Sequence, residues 1–256
     1  MLSVRSNHRA GSGQRRGHGS AASPPGPAGR PAPVVPAAAP AIRPSLARRL
    51  LDIIVAIIAL GLVWPFFLAL AWATRRSTGG SAIYRQLRVG EGGVPFTLFK
   101  FRSMRVGTAG PEVTAPGDNR VTRLGALLRK TSIDELPQLV NVLLGDMTLV
   151  GPRPETIALA ARYPRDLQFV FRYRPGITGP TQVLVRDEKV LGRAGDVENF
   201  YLTELVPHRV ATDLGFLRSP TITQTIGWLI DTFLYLIRVV RPGPAADALP
   251  PPTNRR

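Results

Sequence analysis

The chain has 256 residues, 44% of them hydrophobic, with a net charge of +16 and no cysteine. That length supports one buried core plus a membrane element, and the composition excludes a disulfide framework, a thiolate nucleophile and a cysteine metal site. The positive balance asks for an anionic partner, whether nucleic acid, anionic lipid or phosphorylated substrate.

The three histidines (His8, His18 and His208) are scattered, which argues against histidine metal or acid–base chemistry. Nearly all the basic residues are arginine. Lysine occurs only at Lys100, Lys130 and Lys189, and the first two fall in the stretches singled out below, where a compact ammonium differs from a guanidinium fork.

Residues 1–44 are rich in Pro, Gly, Ala and Ser, contain several Arg and no acidic residue, and show no apolar periodicity. They read as a disordered basic tail, either a solubilising extension or a segment drawn to anionic headgroups. A secretory signal's compact apolar core and cleavage site are absent there. Residues 46–74 then carry an apolar body long enough to cross a bilayer as a helix. Arg48 and Arg49 precede it and Arg75 and Arg76 follow, so the charge asymmetry that orients a single span is missing. Pro65 interrupts the run, which predicts a kink, and Asp52 prefers the headgroup level. These features fit either a kinked span or a helix–break–helix hairpin that returns to the face it entered.

After a Gly/Ser break, YRQLRVG, the turn EGG and VPFTLFKF read as a short β-hairpin crowded with Arg85, Arg88, Lys100 and Arg102. That crowding is either a solvated edge or a phosphate-binding wall. Residues 105–119 form a Gly/Pro-rich loop, expected to be mobile. In RVTRLGALLRKTS, Val121, Leu124, Leu127 and Leu128 at helical spacing predict a short basic amphipathic helix.

Ser132-Ile133-Asp134-Glu135 matches a capping box, with Pro137 near the start of a helix over 135–144 and Gly145 at its end. An extended apolar piece with a Gly-Pro-Arg-Pro turn comes next, then a helix over 155–163, a turn at RYRPGITG and a strand at TQVLVRD. Residues 196–211 read as helical. The last apolar segment, PTITQTIGWLIDTFLYLIRVVRPG, carries Thr221, Gln224, Asp231 and Arg238, which favours a helix lying in the membrane interface or packed on the domain. Beyond residue 241 the chain reads as disordered.

An adjacent Asp–Glu pair at a helix start has an ordinary explanation, because acids there cap free amides and complement the helix dipole. Here Arg129 and Lys130 precede the pair, Arg153 comes after it in a Pro-flanked turn, and the basic hairpin lies upstream. Cations and a helix N-terminus both favour the ionised carboxylate that a nucleophile or a Mg²⁺ ligand requires. One of the pair could hold metal while the other attacks phosphorus, with the spread cations stabilising the transferred phosphoryl group.

The ordered run YRQLRVG, FKFRSM, RVTRLGALLRKTSIDELPQLVNVLLGDMTLVGPRPE and RPGITG, over roughly residues 46–186, resembles the bacterial sugar transferase family, the monotopic phosphoglycosyl transferases. The resemblance implies transfer of a sugar 1-phosphate from a nucleotide diphosphate sugar, usually UDP-linked, to polyprenyl phosphate with release of UMP. It implies Asp134 as nucleophile, Glu135 as Mg²⁺ ligand, and Lys100, Arg129 and Arg153 as active-site and phosphate-binding groups. It also implies a re-entrant membrane helix broken at Pro65, although Trp64 stands where the family often has Ser. The region after Asp187 departs from the familiar pattern.

The expected architecture is therefore a membrane-associated α+β protein: tail 1–44, re-entrant membrane hairpin 45–76, catalytic domain 77–241 with an interfacial C-terminal helix, and tail 242–256. Lys100, Arg102, Arg129, Arg153, Arg85 and Arg88 are the candidate phosphate-binding residues, Asp134 and Glu135 the catalytic pair, and Glu135 the Mg²⁺ site. The expected partners are a nucleotide diphosphate sugar, polyprenyl phosphate and anionic membrane lipids, with no nucleic acid, at the cytoplasmic face of a bacterial inner membrane. The competing reading is a non-catalytic, membrane-anchored basic scaffold for polysaccharide assembly.

Overall fold

The structure is a computed structural model and describes residues 40–108, 110, 113–114, 117–184 and 196–238. Most of the expected N-terminal tail and all of the C-terminal one lie outside the described residues.

The first helix, α1 (Leu46–Thr78), begins where the Ser45 side chain accepts the Arg48 amide at 3.3 Å. It stops where Gly79 enters the left-handed region, φ 76°, and returns its amide to Arg75 O at 3.1 Å. The sequence predicts a break at Pro65, whereas the structure carries one helix through it. Among the described residues α1 is the helix long and apolar enough to cross a membrane. Its middle stays uncovered, with Ile58, Leu62, Trp64, Phe66, Leu68 and Trp72 all exposed.

The predicted hairpin forms as β1 (Ile83–Val89) and β2 (Pro95–Phe101), antiparallel, with Tyr84 opposite Lys100 and Arg88 opposite Phe96. Alternation sorts its two faces. Tyr84, Gln86, Arg88, Leu98 and Lys100 share one face, and Arg85, Leu87 and Phe99 stand on the other. Helix α2 (Arg123–Lys130) comes next, capped by the Thr122 hydroxyl on the Gly125 amide at 2.9 Å. Gly125 permits α2 to lie directly on the chain leaving β2, since a Cβ there would fall 2.0 Å from Ser103 O.

The expected capping box does not form. Ser132 takes φ 56° and makes no side-chain capping bond, and Ile133–Glu135 is a single 3₁₀ turn. The helix proper, α3 (Gln138–Leu144), begins after Pro137 and ends at Gly145, φ 92°. Tertiary anchoring replaces the cap. Asn141, fully buried, accepts the Phe99 amide at 3.1 Å and donates to Thr97 O at 2.7 Å, which sews α3 to the β2 edge.

β3 (Thr148–Val150) pairs in parallel with β4 (Gly176–Thr178), a strand within the stretch read as a turn. Between them lie α4 (Ile157–Ala161) and a 3₁₀ segment over Arg165–Arg172. The stretch expected to be a strand from Thr181 is instead helix α5 (Pro180–Leu184), with proline at its first position. The helical expectation for 196–211 is met by α6 (Val197–Phe200), a π turn (Tyr201–Leu205) and α7 (Val206–Leu217).

Helix α8 (Ile222–Arg238) closes the described chain. Its Thr225 is buried, while Ile222, Ile226, Ile230, Phe233 and Ile237 face outward. The core gathers Phe96, Leu98, Val142, Met147, Val150, Leu205 and Val206 between the hairpin, α3, β3 and α7.

Replacing Asn141 by Leu leaves the Phe99 amide and the Thr97 carbonyl without a partner at a part-buried seam, at a cost of about 2–4 kcal/mol. Thermal melting of detergent-solubilised Asn141→Leu is expected to drop by roughly 5–10 °C; an unchanged melting temperature would contradict this anchoring.

Candidate active site

The inner face of the hairpin, the end of α2, the 3₁₀ turn and the Gly-Pro-Arg-Pro turn enclose a cleft of about 650 Å³ lined by Arg88, Lys100, Arg129, Asp134, Glu135 and Arg153. Arg102 also borders it, donating to Ser81 O at 2.9 Å with its guanidinium 5.2 Å from the Tyr84 ring. Seven of the eight sequence candidates for catalysis and phosphate binding are thus brought together. Arg85 is the exception. Its odd register puts it on the outer face of β1, exposed, with its guanidinium 5.9 Å from the Phe99 ring.

Each cation is placed by local structure. Arg129, on the last turn of α2, donates from Nε to Ser103 Oγ at 2.8 Å. Arg88 donates to Pro154 O at 3.1 Å and to Gln86 Oε1 at 2.7 Å, bracing the turn that carries Arg153. Arg153 Nη1 lies 3.7 Å from Glu135 Oε1. Lys100 sits 5.4 Å from the Tyr84 ring. Burial, then Arg88, pushes its ammonium down to about 8, against the opposing pull of Asp134.

Asp134 is 7% exposed. Sequence reasoning expects neighbouring cations and a helix N-terminus to favour its ionised form. Burial and then the Glu135 charge instead push its carboxyl up to about 6, outweighing Lys100, Arg129 and Arg153. It is still mostly ionised at neutral pH, but it is a more basic and less solvated carboxylate than a surface aspartate. Glu135, expected to stand free for metal, faces Arg153.

Among the described residues no group of three or more His, Cys, Asp or Glu side chains gathers as a metal cage. A carboxylate pair at the edge of a cationic cleft is nonetheless a donor set that Mg²⁺ accepts, because it keeps most of its coordination for water and phosphate oxygens. The residues present fit the ion.

Sequence reasoning missed a second cluster at the far side of the cleft. Glu155, 4% exposed, pairs with Arg209 at 3.1 Å and accepts the Tyr201 hydroxyl at 2.5 Å; Arg209 also contacts that hydroxyl. Burial, then the Glu155 charge, raises the neighbouring Tyr163 phenol well above its usual range. The available signal was Glu155 itself, which closes the Gly-Pro-Arg-Pro-Glu run. Tyr201 and Arg209 are eight residues apart, about 80° on a regular helix and so within one broad face, and the π turn Tyr201–Leu205 lies between them.

Fold and cleft together define a mixed helix–strand domain carrying one long apolar helix and a cation-lined cleft with a carboxylate pair, Asp134 buried and Glu135 half-buried. The chain belongs to the bacterial sugar transferase family, whose model matches residues 43–239. The match therefore runs through α8, well past the limit near residue 186 expected from motifs alone. The chain is 41% identical over 188 residues, 70% of its length, to a UDP-glucose:undecaprenyl-phosphate glucose-1-phosphate transferase of Caulobacter vibrioides, covering 66% of that protein. It is 43% identical over 142 residues, 54% of its length, to a UDP-N-acetylgalactosamine-undecaprenyl-phosphate N-acetylgalactosaminephosphotransferase of Aeromonas hydrophila, covering 34% of it. With the exopolysaccharide production protein ExoY of Rhizobium meliloti it shares 37% identity over 175 residues, 60% of this chain and 76% of that one.

Because the folded carboxyl of Asp134 titrates near 6 rather than 3.8, its contribution to stability is present at acid pH and lost as pH rises through about 6. Asp134→Asn, neutral throughout, is expected to melt several degrees above wild type at pH 7.5, with the gain shrinking toward pH 5. Scanning calorimetry at both pH values checks this; a lower melting temperature at pH 7.5 would refute it.

Proposed function

We propose that the protein transfers a sugar 1-phosphate from a UDP-sugar to undecaprenyl phosphate, releasing UMP, at the cytoplasmic face of a bacterial inner membrane, as a first step in exopolysaccharide or glycoconjugate assembly. The observation that carries this reading is the placement of Asp134, buried and lining the same cleft as Arg88, Lys100, Arg129 and Arg153. Such a site attracts a diphosphate and presents it to a poorly solvated carboxylate oxygen.

In the first step an Asp134 oxygen attacks the phosphorus that bears the sugar. The bond from that phosphorus to the bridging oxygen breaks, and UMP leaves with the bridging oxygen and its electron pair. The acyl phosphate so formed holds the sugar 1-phosphate on Asp134. An oxygen of undecaprenyl phosphate then attacks the same phosphorus, the bond to Asp134 breaks, and the carboxylate is restored. Arg129, Arg153 and Lys100 hold the phosphate oxygens through both displacements, and Arg88 keeps the Arg153 turn in place. Glu135 is the residue that would hold Mg²⁺, which supplies further positive charge to the diphosphate.

Membrane disposition follows from how α1 is held. Its first turns bond to β3, and its last to the start of α2, where Ser77 Oγ donates to Thr122 Oγ1 at 2.8 Å. A helix crossing a hydrocarbon core about 30 Å thick would put its ends on opposite faces. Both ends of α1 dock on one folded body, which supports anchorage from a single face rather than a crossing, with Ile58 to Trp72 in lipid. The outward apolar stripe of α8 suits the same interface, and the basic surface suits anionic headgroups.

With Mg²⁺, undecaprenyl phosphate and a panel of UDP-sugars, detergent-solubilised protein is expected to release UMP, and Asp134→Asn to lose at least 10³-fold in rate, on the order expected for removing a nucleophile. The rate should also fall as pH rises through about 8 while Lys100 loses its proton, and Lys100→Arg should move that limb upward. Near-normal turnover by Asp134→Asn would exclude the covalent route.

A further inference from the structure

The first turns of α1 carry two polar side chains that the proposed chemistry does not use, and both are buried. Asp52 is 0% exposed. Its Oδ2 accepts the Thr148 hydroxyl at 2.7 Å, and its Oδ1 accepts the Leu149 amide at 3.0 Å. One turn earlier on the same helical face, Arg48 donates from Nη2 to Val150 O at 2.9 Å and from Nε to Thr225 Oγ1 on α8 at 3.1 Å. The membrane helix therefore grips Thr148, Leu149 and Val150, which are all of β3.

β3 is buried throughout and packs into the core, but its strand pairing is slight, to one other strand of three residues. The chain leaving β3 is stiff: Gly151, whose amide donates to Thr178 O at 2.9 Å, then Pro152, Arg153 and Pro154. Gly151 lies too close to its neighbours for a Cβ, which would meet Arg174 O at 2.7 Å. The prolines lock φ on either side of Arg153, so a shift of β3 is passed along this arm instead of being absorbed. At its end Arg153 faces Glu135 at 3.7 Å.

We propose that Asp52 is a positioning residue for phosphate binding: through β3 and the Pro-Arg-Pro arm, its grip sets where Arg153 stands over the carboxylate pair. The seating of the membrane helix then governs the site, and a chain whose α1 is unseated from β3 binds donor poorly even when otherwise folded. Truncating Asp52 leaves the Leu149 amide and the Thr148 hydroxyl without an acceptor in a dry interior. Asn at the same position keeps one acceptor oxygen of the same reach.

This inference rests on the transferase reading, and a double-mutant cycle separates the two. UMP release and binding of UDP in the presence of Mg²⁺ are measured for wild type, Asp52→Ala, Asp52→Asn, Arg153→Ala and the Asp52→Ala/Arg153→Ala pair. Leu217→Ala, a buried apolar truncation in α7 away from the cleft, serves as a control for general destabilisation. Asp52→Ala is expected to weaken UDP binding and raise the donor KM about tenfold, with Asp52→Asn restoring most of the loss. In the Arg153→Ala background Asp52→Ala should cost no more than about twofold, because the group it positions is gone. Leu217→Ala should lower the melting temperature while leaving KM unchanged. Additive losses in the cycle, or a KM for Leu217→Ala that rises as much as that of Asp52→Ala, would overturn the positioning role while leaving the transferase reading intact. A wild type that releases no UMP from any UDP-sugar would overturn that reading and this inference with it.

Discussion

Convergence of like charges is the constraint on which the rest of the structure depends. Arg88, Lys100, Arg129 and Arg153 line one cleft, and such a set repels itself unless each member is pinned. The pins are specific: Pro154 O and Gln86 hold Arg88, Ser103 holds Arg129, and Glu135 faces Arg153. Lys100, buried and then crowded by Arg88, gives up part of its hold on a proton. Asp134, in the same cleft, is sheltered enough from water that burial outweighs Lys100, Arg129 and Arg153 in setting its proton affinity. With Asp134, Glu135 and Glu155 set against Arg88, Lys100, Arg102, Arg105, Arg120, Arg129, Arg153 and Arg209, the lining carries a positive surplus, which a diphosphate would neutralise.

The cations come from separate parts of the chain, and α1 touches two of those parts. Its first turns hold β3, which leads to Arg153, and its last turn holds Thr122, the cap of the helix that ends just past Arg129. A membrane element that is also a strut of the cleft makes sense for a site whose proposed substrates differ so sharply. One is soluble and polyanionic, and the other keeps its tail in lipid with its phosphate at the headgroups. α8, bonded to the same end of α1 through Thr225, adds a second exposed apolar surface beside it.

Much of this was legible in the sequence where the governing forces are local. The hairpin follows from alternation and a Gly turn, α2 from the spacing of Val121, Leu124 and Leu128, and the end of α3 from Gly145. Arg85 could have been set aside on parity alone, since it lies an odd number of residues from Arg88 on one strand. Pro180 likewise marked a helix start that β-branched neighbours disguised as a strand. Other features depend on contacts that no local pattern encodes. Ser132 takes a left-handed turn in place of a capping box, and Asn141 anchors α3 to β2, a strand distant in sequence. β4 exists only because β3, far earlier in the chain, lies alongside it, and the upward push on Asp134 requires knowing that it is buried. Tyr201 and Arg209 meet across a π turn with no sequence signature.

The central claim is that the buried Asp134 carboxylate takes the sugar phosphate covalently. The direct measurement is intact-protein and peptide mass spectrometry after incubation with Mg²⁺ and a UDP-sugar that the protein consumes, in the absence of undecaprenyl phosphate. The account predicts a single added hexose-phosphate-sized mass on the peptide containing Asp134, absent from Asp134→Asn and discharged when undecaprenyl phosphate is added. UMP release with no such adduct under rapid acid quench, or an adduct on another residue, would contradict it.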